Sequence, residues 1–209
     1  MQPNANVVAI LVLGALLQGS ASRTLRVSAK LDATADSFTL SYTVENLGDD
    51  DAYLMDISHV IHGRTAEVSL QPIYVAWLGK THAHLVQGIA PLPPDRDVNV
   101  TVVPLASRIA PHKKITRTIT LPRPLAEFGP YDAPATGTER RVDRLTITVV
   151  ALRPSARGFA ATAMQNHPDV FRVRSDYTIG HVERASTAIA LPKGTWLRTF
   201  DNARLTRVR

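Results

Sequence analysis

An all-β antiparallel sandwich is the fold class this sequence predicts, and three observations carry the prediction. Apolar and polar residues alternate with a period of two in one segment after another, as they do where strand side chains point to opposite faces in turn. Clusters of Gly, Pro, Asn and Asp separate those segments, with 14 Pro and 11 Gly among 209 residues, and these residue types supply turn chemistry. Almost no stretch shows the 3.6-residue period of an amphipathic helix. The chain is 44% hydrophobic and 20% charged, ordinary for a globular protein, and one core is the default at this length.

Residues 1–21 carry no charged side chain, and residues 7–17 form an apolar run. The run has the length of a signal-peptide core and falls short of the roughly 20 residues that span a bilayer. Gly19 and Ala21 are the small residues a signal peptidase requires, so cleavage after Ala21 is expected, followed by one domain over residues 22–209. The leader lacks the usual Lys or Arg near its start, which leaves a buried first element as the alternative. The expected location is the bacterial envelope, periplasmic or secreted, with no stable membrane span after cleavage.

Leu25, Val27, Ala29 and Leu31 mark a first strand, and residues 32–36 a turn. The clearest alternation follows in residues 37–52: Phe38, Leu40, Tyr42 and Val44 take one face, and Thr39, Ser41, Thr43 and Glu45 the other. Asn46, Gly48 and Asp49 to Asp51 then stop the pattern, so a hairpin into a return strand over residues 52–61 is expected. Residues 73–89 read as a second hairpin, and residues 91–97, PLPPDRD, as a stiff loop. Residues 98–102 and 115–121 read as strands, the latter with Thr116, Thr118 and Thr120 on a polar face. Residues 122–138 form a long Pro-rich irregular stretch, a length of loop that commonly serves a function. Residues 142–152 are a strong strand. Residues 158–167 have the small, helix-tolerant composition for one short helix. Residues 170–179 and 182–191 suggest a final antiparallel pair.

The alternating strand, Asn-Leu-Gly-Asp turn and aromatic return strand of residues 37–57 resemble the opening hairpin of bacterial immunoglobulin-like modules, including the proteinase-inhibitor type found in bacilli. The resemblance implies an immunoglobulin-like sandwich that binds or scaffolds, and it transfers no functional residue. The Cys, Trp, Cys arrangement of antibody-type domains is absent, since the chain has no cysteine. Disulfides, thiolate metal sites and thiol nucleophiles are excluded for the same reason.

Charge is distributed unevenly. Residues 1–103 carry 6 Lys+Arg against 10 Asp+Glu, a balance of −4, and residues 104–209 carry 18 against 8, a balance of +10. Such asymmetry suits an anionic partner, either a protein or an anionic envelope component. Arg140, Arg141, Arg144, Arg172 and Arg174 are the candidate surface, with Arg172 and Arg174 on one face of a strand. No single-stranded nucleic-acid module is recognisable, so nucleic acid is not the expected ligand.

His82 and His84 stand two apart on a strand and so share a face, the spacing at which a sheet presents two imidazoles to copper or zinc. His59 and His62 would supply further ligands from a neighbouring strand. Asp49 to Asp51 lack the alternating oxygen ligands and distant carboxylate of a calcium loop, and read as a solvated turn. No Gly-x-Ser-x-Gly elbow and no Gly-rich phosphate loop occurs. The first expectation is therefore an exported, non-enzymatic binding or scaffolding module without a cofactor. The alternatives are a His-based copper- or zinc-binding sandwich and a hydrolase whose site assembles from loops.

Overall fold

The strictest alternation in the sequence produces the most completely one-sided strand. In β2 (Ser37–Asn46), Phe38, Leu40, Tyr42 and Val44 are buried while the residues between them are half-exposed. β1 (Leu25–Ala33) pairs antiparallel along one edge of β2, and β8 (Lys114–Pro122) along the other. The outer face of this three-stranded sheet is knitted by hydroxyls, Ser41 to Thr118 at 3.3 Å and Thr43 to Thr116 at 2.9 Å. The computed structural model describes residues 24–62, 65–78, 81–89, 105–130, 135–175 and 182–199. Residues 1–21, 91–97 and 98–102 lie outside them.

The second layer comprises β3 (Ala52–His62), β4 (Thr65–Leu70), β5 (Tyr74–Trp77), β6 (His82–Gln87), β7 (Leu105–Ile109), β11 (Arg144–Leu152), β12 (Ala160–Met164), β13 (His167–Arg174) and β14 (Glu183–Ile189). Their order is β12-β13-β7-β3-β11-β6-β5, with β14 on the remaining edge of β11 and β4 paired to β3. β11 is the centre of this sheet. Its Leu145, Ile147, Val149 and Ala151 face the first layer, where they join Leu40, Tyr42, Val44 and Leu85 in the main core. Its Val150 and Leu152 face the other way, into a smaller core with Tyr53, Met55, Ala106 and Val173. A small third sheet, of β9 (Leu125–Ala126), β10 (Glu139–Arg141) and β15 (Trp196–Arg198), closes one side.

The chain is thus all-β and sandwich-like, with antiparallel pairing throughout except that β6 lies parallel to β11 and β9 parallel to β15. Four local expectations change. Residues 46–51 do not form a hairpin: β2 pairs with β1 and β8, whereas β3 pairs with β4, β7 and β11 in the other layer. The segment is a crossover between sheets. Residues 158–167 contain strand β12 rather than a helix, paired to β13 through a turn at Gln165 and Asn166. Alanine's helix tolerance is overridden there by tertiary pairing. β13 and β14 do not pair with each other, because β13 lies between β12 and β7 while β14 follows β11. The Pro-rich stretch is not irregular throughout: it contains β9, Leu125 is fully buried, and Phe128 exchanges backbone hydrogen bonds of 3.0 Å with Val75 in both directions.

Two polar contacts hold the layers in place. At the crossover, Asn46 is fully buried and its Nδ2 donates to the carbonyls of Asp50, Ile109 and Ala110 at 2.8, 2.9 and 3.1 Å. Its Oδ1 accepts from the Gly48 amide at 3.1 Å and from Arg153 at 2.8 Å. Arg153 also donates to Glu183 at 2.6 Å and to the carbonyls of Asp50 and Thr24 at 2.8 and 3.1 Å. Between the layers, Arg117 breaks the apolar phase of β8 and points inward opposite Tyr42. Its Nε donates to buried Asp56 of β3 at 2.7 Å and its Nη2 to Ser107 of β7 at 2.6 Å. The Ser107 amide donates to the other Asp56 oxygen at 3.2 Å.

Burial pushes the Asp56 carboxyl above the usual carboxylate range, while Arg117 and the Ser107 bonds pull it back. An ion pair so desolvated is costly to break from one side, because the remaining charge stays buried. Asp56→Ala is therefore expected to lose about 3–5 kcal/mol of unfolding free energy in a urea titration. The Asp56→Leu/Arg117→Met double variant is expected to recover most of that loss. An equal loss in both would mean that packing, rather than the stranded charge, sets the cost.

Candidate functional site

The hairpin of β12 and β13 forms one end of the large sheet, and its two faces differ. Register pairs Ala161 with Val173 and Ala163 with Phe171. Ala161, Val173 and Phe171 pack into the smaller core, where Tyr53 meets the rings of Phe159 and Phe171 at 5.1 and 5.3 Å. The same register sets Ala160 opposite Arg174 and Thr162 opposite Arg172 on the outward face. Small residues on one strand beside long ones on the next leave an open groove of about 410 Å3, lined by residues 160 and 162–165 of the β12 side and by Arg172 and Arg174. Both arginines are exposed, and among the described residues no carboxylate pairs with either. Two exposed guanidinium groups beside a hydroxyl form a surface for carboxylate or phosphate oxygens.

The other three candidate arginines sit elsewhere. Arg140 and Arg141 are on β10 and Arg144 begins β11, so β7 and β3 intervene between Arg144 and β13 in the strand order. Arg141 is paired with Asp143 at 2.9 Å, and Arg140 lies 6.0 Å from the Trp77 ring centroid. The five arginines are not one surface. Two of the three crossover aspartates contact side chains, Asp49 that of His112 at 3.2 Å and Asp51 that of Arg108 at 3.7 Å, while the Asp50 backbone carbonyl accepts from Asn46 and Arg153.

His82 and His84 do share a face of β6, with ring centroids 6.4 Å apart. Each is held by a threonine of the parallel neighbour β11, His82 Nε2 by Thr146 at 3.0 Å and His84 Nε2 by Thr148 at 2.8 Å. Thr148 in turn contacts Ser186 of β14 at 2.6 Å. Burial, and secondarily the neighbouring His82, drops the His84 pKa to about 4; burial, then Arg144, lowers that of His82. The imidazoles are neutral at physiological pH, as metal ligands must be. Among the described residues, however, no third His, Asp or Glu joins them. His59 and His62 lie on β3, but their side chains are outside the described residues. A base with so low a pKa is poorly matched to activating Ser186 at neutral pH. The Ser186, Thr148, His84 chain instead fastens β14, β11 and β6 side by side on the outer face.

Sequence reasoning identified the two histidines and the two groove arginines. It missed Thr146, Thr148 and Ser186, whose contacts depend on strand order, and Ala160, Thr162 and Met164, whose strand was read as helical. A scan against protein-family models finds no match, and neither the curated proteins nor the solved structures yield one.

The His84 shift makes stability depend on pH. Its folded pKa lies below the unfolded value, so between pH 6.5 and about 4 the unfolded chain takes up a proton that the native state refuses. The stabilisation is fully present above pH 6.5 and is lost as pH falls, by roughly 3 kcal/mol across that window. Urea titrations over this range are expected to show a steeper decline for the natural chain than for His84→Gln, which keeps a partner for Thr148 without titrating. Parallel declines would contradict the assignment.

Proposed function

We propose that the protein is an exported, non-enzymatic binding module that recognises a carboxylate- or phosphate-bearing partner of the bacterial envelope through the β12–β13 face. One observation carries the reading: Arg172 and Arg174 stand on the outward face of an open groove with no carboxylate among the described residues to neutralise them. Arg117 and Arg153, by contrast, are drawn into internal ion pairs, and Arg141 into one at the surface. Free charge at a surface raises the local concentration of oppositely charged ligands and speeds their arrival, an effect that salt screens within about 8–10 Å. A copper or zinc ion on His82 and His84 would need further ligands from outside the described residues.

The test is calorimetric titration of the protein with a polyglutamate probe at low and physiological ionic strength. Binding is expected to weaken with salt, and Arg172→Glu/Arg174→Glu to reduce affinity by at least ~10-fold, since like charges now oppose the ligand. Arg140→Glu/Arg141→Glu is expected to change it far less. Equal effects of the two charge reversals, or no binding at all, would overturn the assignment to this face.

A further inference from the structure

We infer that the anionic partner is an extended acidic protein segment that adds to the large sheet as a further strand along the free edge of β12. The inference rests on the reading of the β12–β13 face as anion-binding and gives that reading a partner.

Three features of the hairpin converge on a strand rather than a free anion. The first is the edge itself. β12 ends the sheet, and among the described residues β13 is its one partner strand. A sheet edge presents unpaired backbone donors and acceptors, and natural edges are commonly blunted by Lys, Pro, inward-pointing charge, a bulge or sheer shortness. The β12 sequence AATAM contains no Lys, no Pro and no charge. Its shortness and the register shift after Ala163 limit the edge to a few residues, about what one short peptide needs.

The second feature is the placement of charge. From the free edge, Arg174 lies directly beyond Ala160, and Arg172 directly beyond Thr162. An added strand would lie one spacing outside β12, hence about 10 Å from β13. A glutamate facing the groove then reaches over the small Ala160 or Thr162 toward a guanidinium reaching from the opposite side. Side chains of the incoming strand that share this face are two residues apart, and so are Arg172 and Arg174. The two periods match, and an acidic residue at every second position meets one arginine after the other.

The third feature is the opposite face. There Ala163 and Phe171 pair across the hairpin, and the half-buried Phe159, Ala161 and Phe171 border the smaller core. The intervening residues of an added strand would extend that apolar surface, so they should be hydrophobic. The recognised pattern is therefore acidic, apolar, acidic, apolar. Backbone bonds would provide affinity and alternate side chains the selection, the usual division in strand addition. A lipid headgroup would use the arginines but neither the backbone edge nor the apolar side.

The experiment uses the full chain and a fluorescent peptide alternating glutamate with valine, read by anisotropy. Two further peptides carry backbone N-methyl groups on the odd or on the even residues, a fourth has lysine for glutamate, and phosphatidylglycerol vesicles serve as a separate probe. The parent peptide is expected to bind, and the lysine peptide not to. One N-methylated peptide should lose at least ~10-fold in affinity while the other stays near the parent, because only alternate amides of a strand face its neighbour. Arg172→Ala/Arg174→Ala should weaken the parent by ~10-fold. If both methylated peptides bind like the parent, strand addition is wrong while anion recognition stands. If vesicles bind and the peptide does not, the partner is a lipid and the inference falls. If neither binds, the anion-binding reading fails with it.

Discussion

The two-layer arrangement depends on how the chain passes from β2 to β3 through residues 46–51. At the end of that strand the chain leaves the small sheet and enters the large one, and the passage is fixed by the side chains of buried Asn46 and mostly buried Arg153 rather than by a turn type. Asn46 gathers three carbonyls from its own loop and from the end of β7, and hands its oxygen to Arg153. Arg153, from the end of β11, links that loop to Thr24 before β1 and to Glu183 at the start of β14. Four segments far apart in sequence meet at one guanidinium. Planar, multiply donating geometry is what arginine offers and lysine does not. With the crossover held, Phe38, Leu40, Tyr42 and Val44 lie against Leu85 and Ile147, and the apolar burial between the layers follows.

The large excess of arginine over lysine, 19 to 5, then acquires a division of labour. Arg117 and Arg153 are mostly buried, paired with Asp56 and Glu183, and cross-link elements of different sheets. Arg26, Arg141 and Arg198 make exposed ion pairs on the surface, which contribute little to stability. Arg172 and Arg174 do neither. They stand beside small residues at the end of the sheet furthest in strand order from β5, where β12 has no second partner strand among the described residues. The basic second part of the chain therefore contains both its interior fastening and its charged face, and net charge alone could not tell one from the other.

Much of this was legible in the sequence because it depends on local period. The alternation of β2 and of the Thr-rich β8 predicted which side chains turn inward, and the two histidines on one face of β6 followed from the same rule. Partner choice was not legible. The Asn46 to Asp51 segment has hairpin chemistry, yet the non-local pairing of β3 with β7 and β11 decides where the next strand goes. The Arg117 contact did leave a trace: one charged residue stands in the apolar phase of Ile115, Ile119 and Leu121, and Asp56 stands among the apolar residues of β3. Two opposite charges in buried phases point to each other. β12 was misread for a different reason, since its alanines give neither a strong apolar alternation nor a β-branched signal, and only the Gln165, Asn166 turn marks the hairpin. With β12 taken as a helix, Arg172 and Arg174 were recognisable as a pair but their position at a free edge was not.

Some arginines of this chain thus hold the fold, others pair at its surface, and Arg172 and Arg174 are left for a partner. Equilibrium urea unfolding of Arg153→Ala beside Arg172→Ala/Arg174→Ala separates the first group from the last, because opposite outcomes are expected of them. A loss of about 3 kcal/mol or more is expected for Arg153→Ala, and a change within about 0.5 kcal/mol for the paired surface variant. A loss at Arg172 and Arg174 comparable to that at Arg153 would contradict it, since those two side chains would then belong to the framework and the β12–β13 face would have no charge to spare for a ligand.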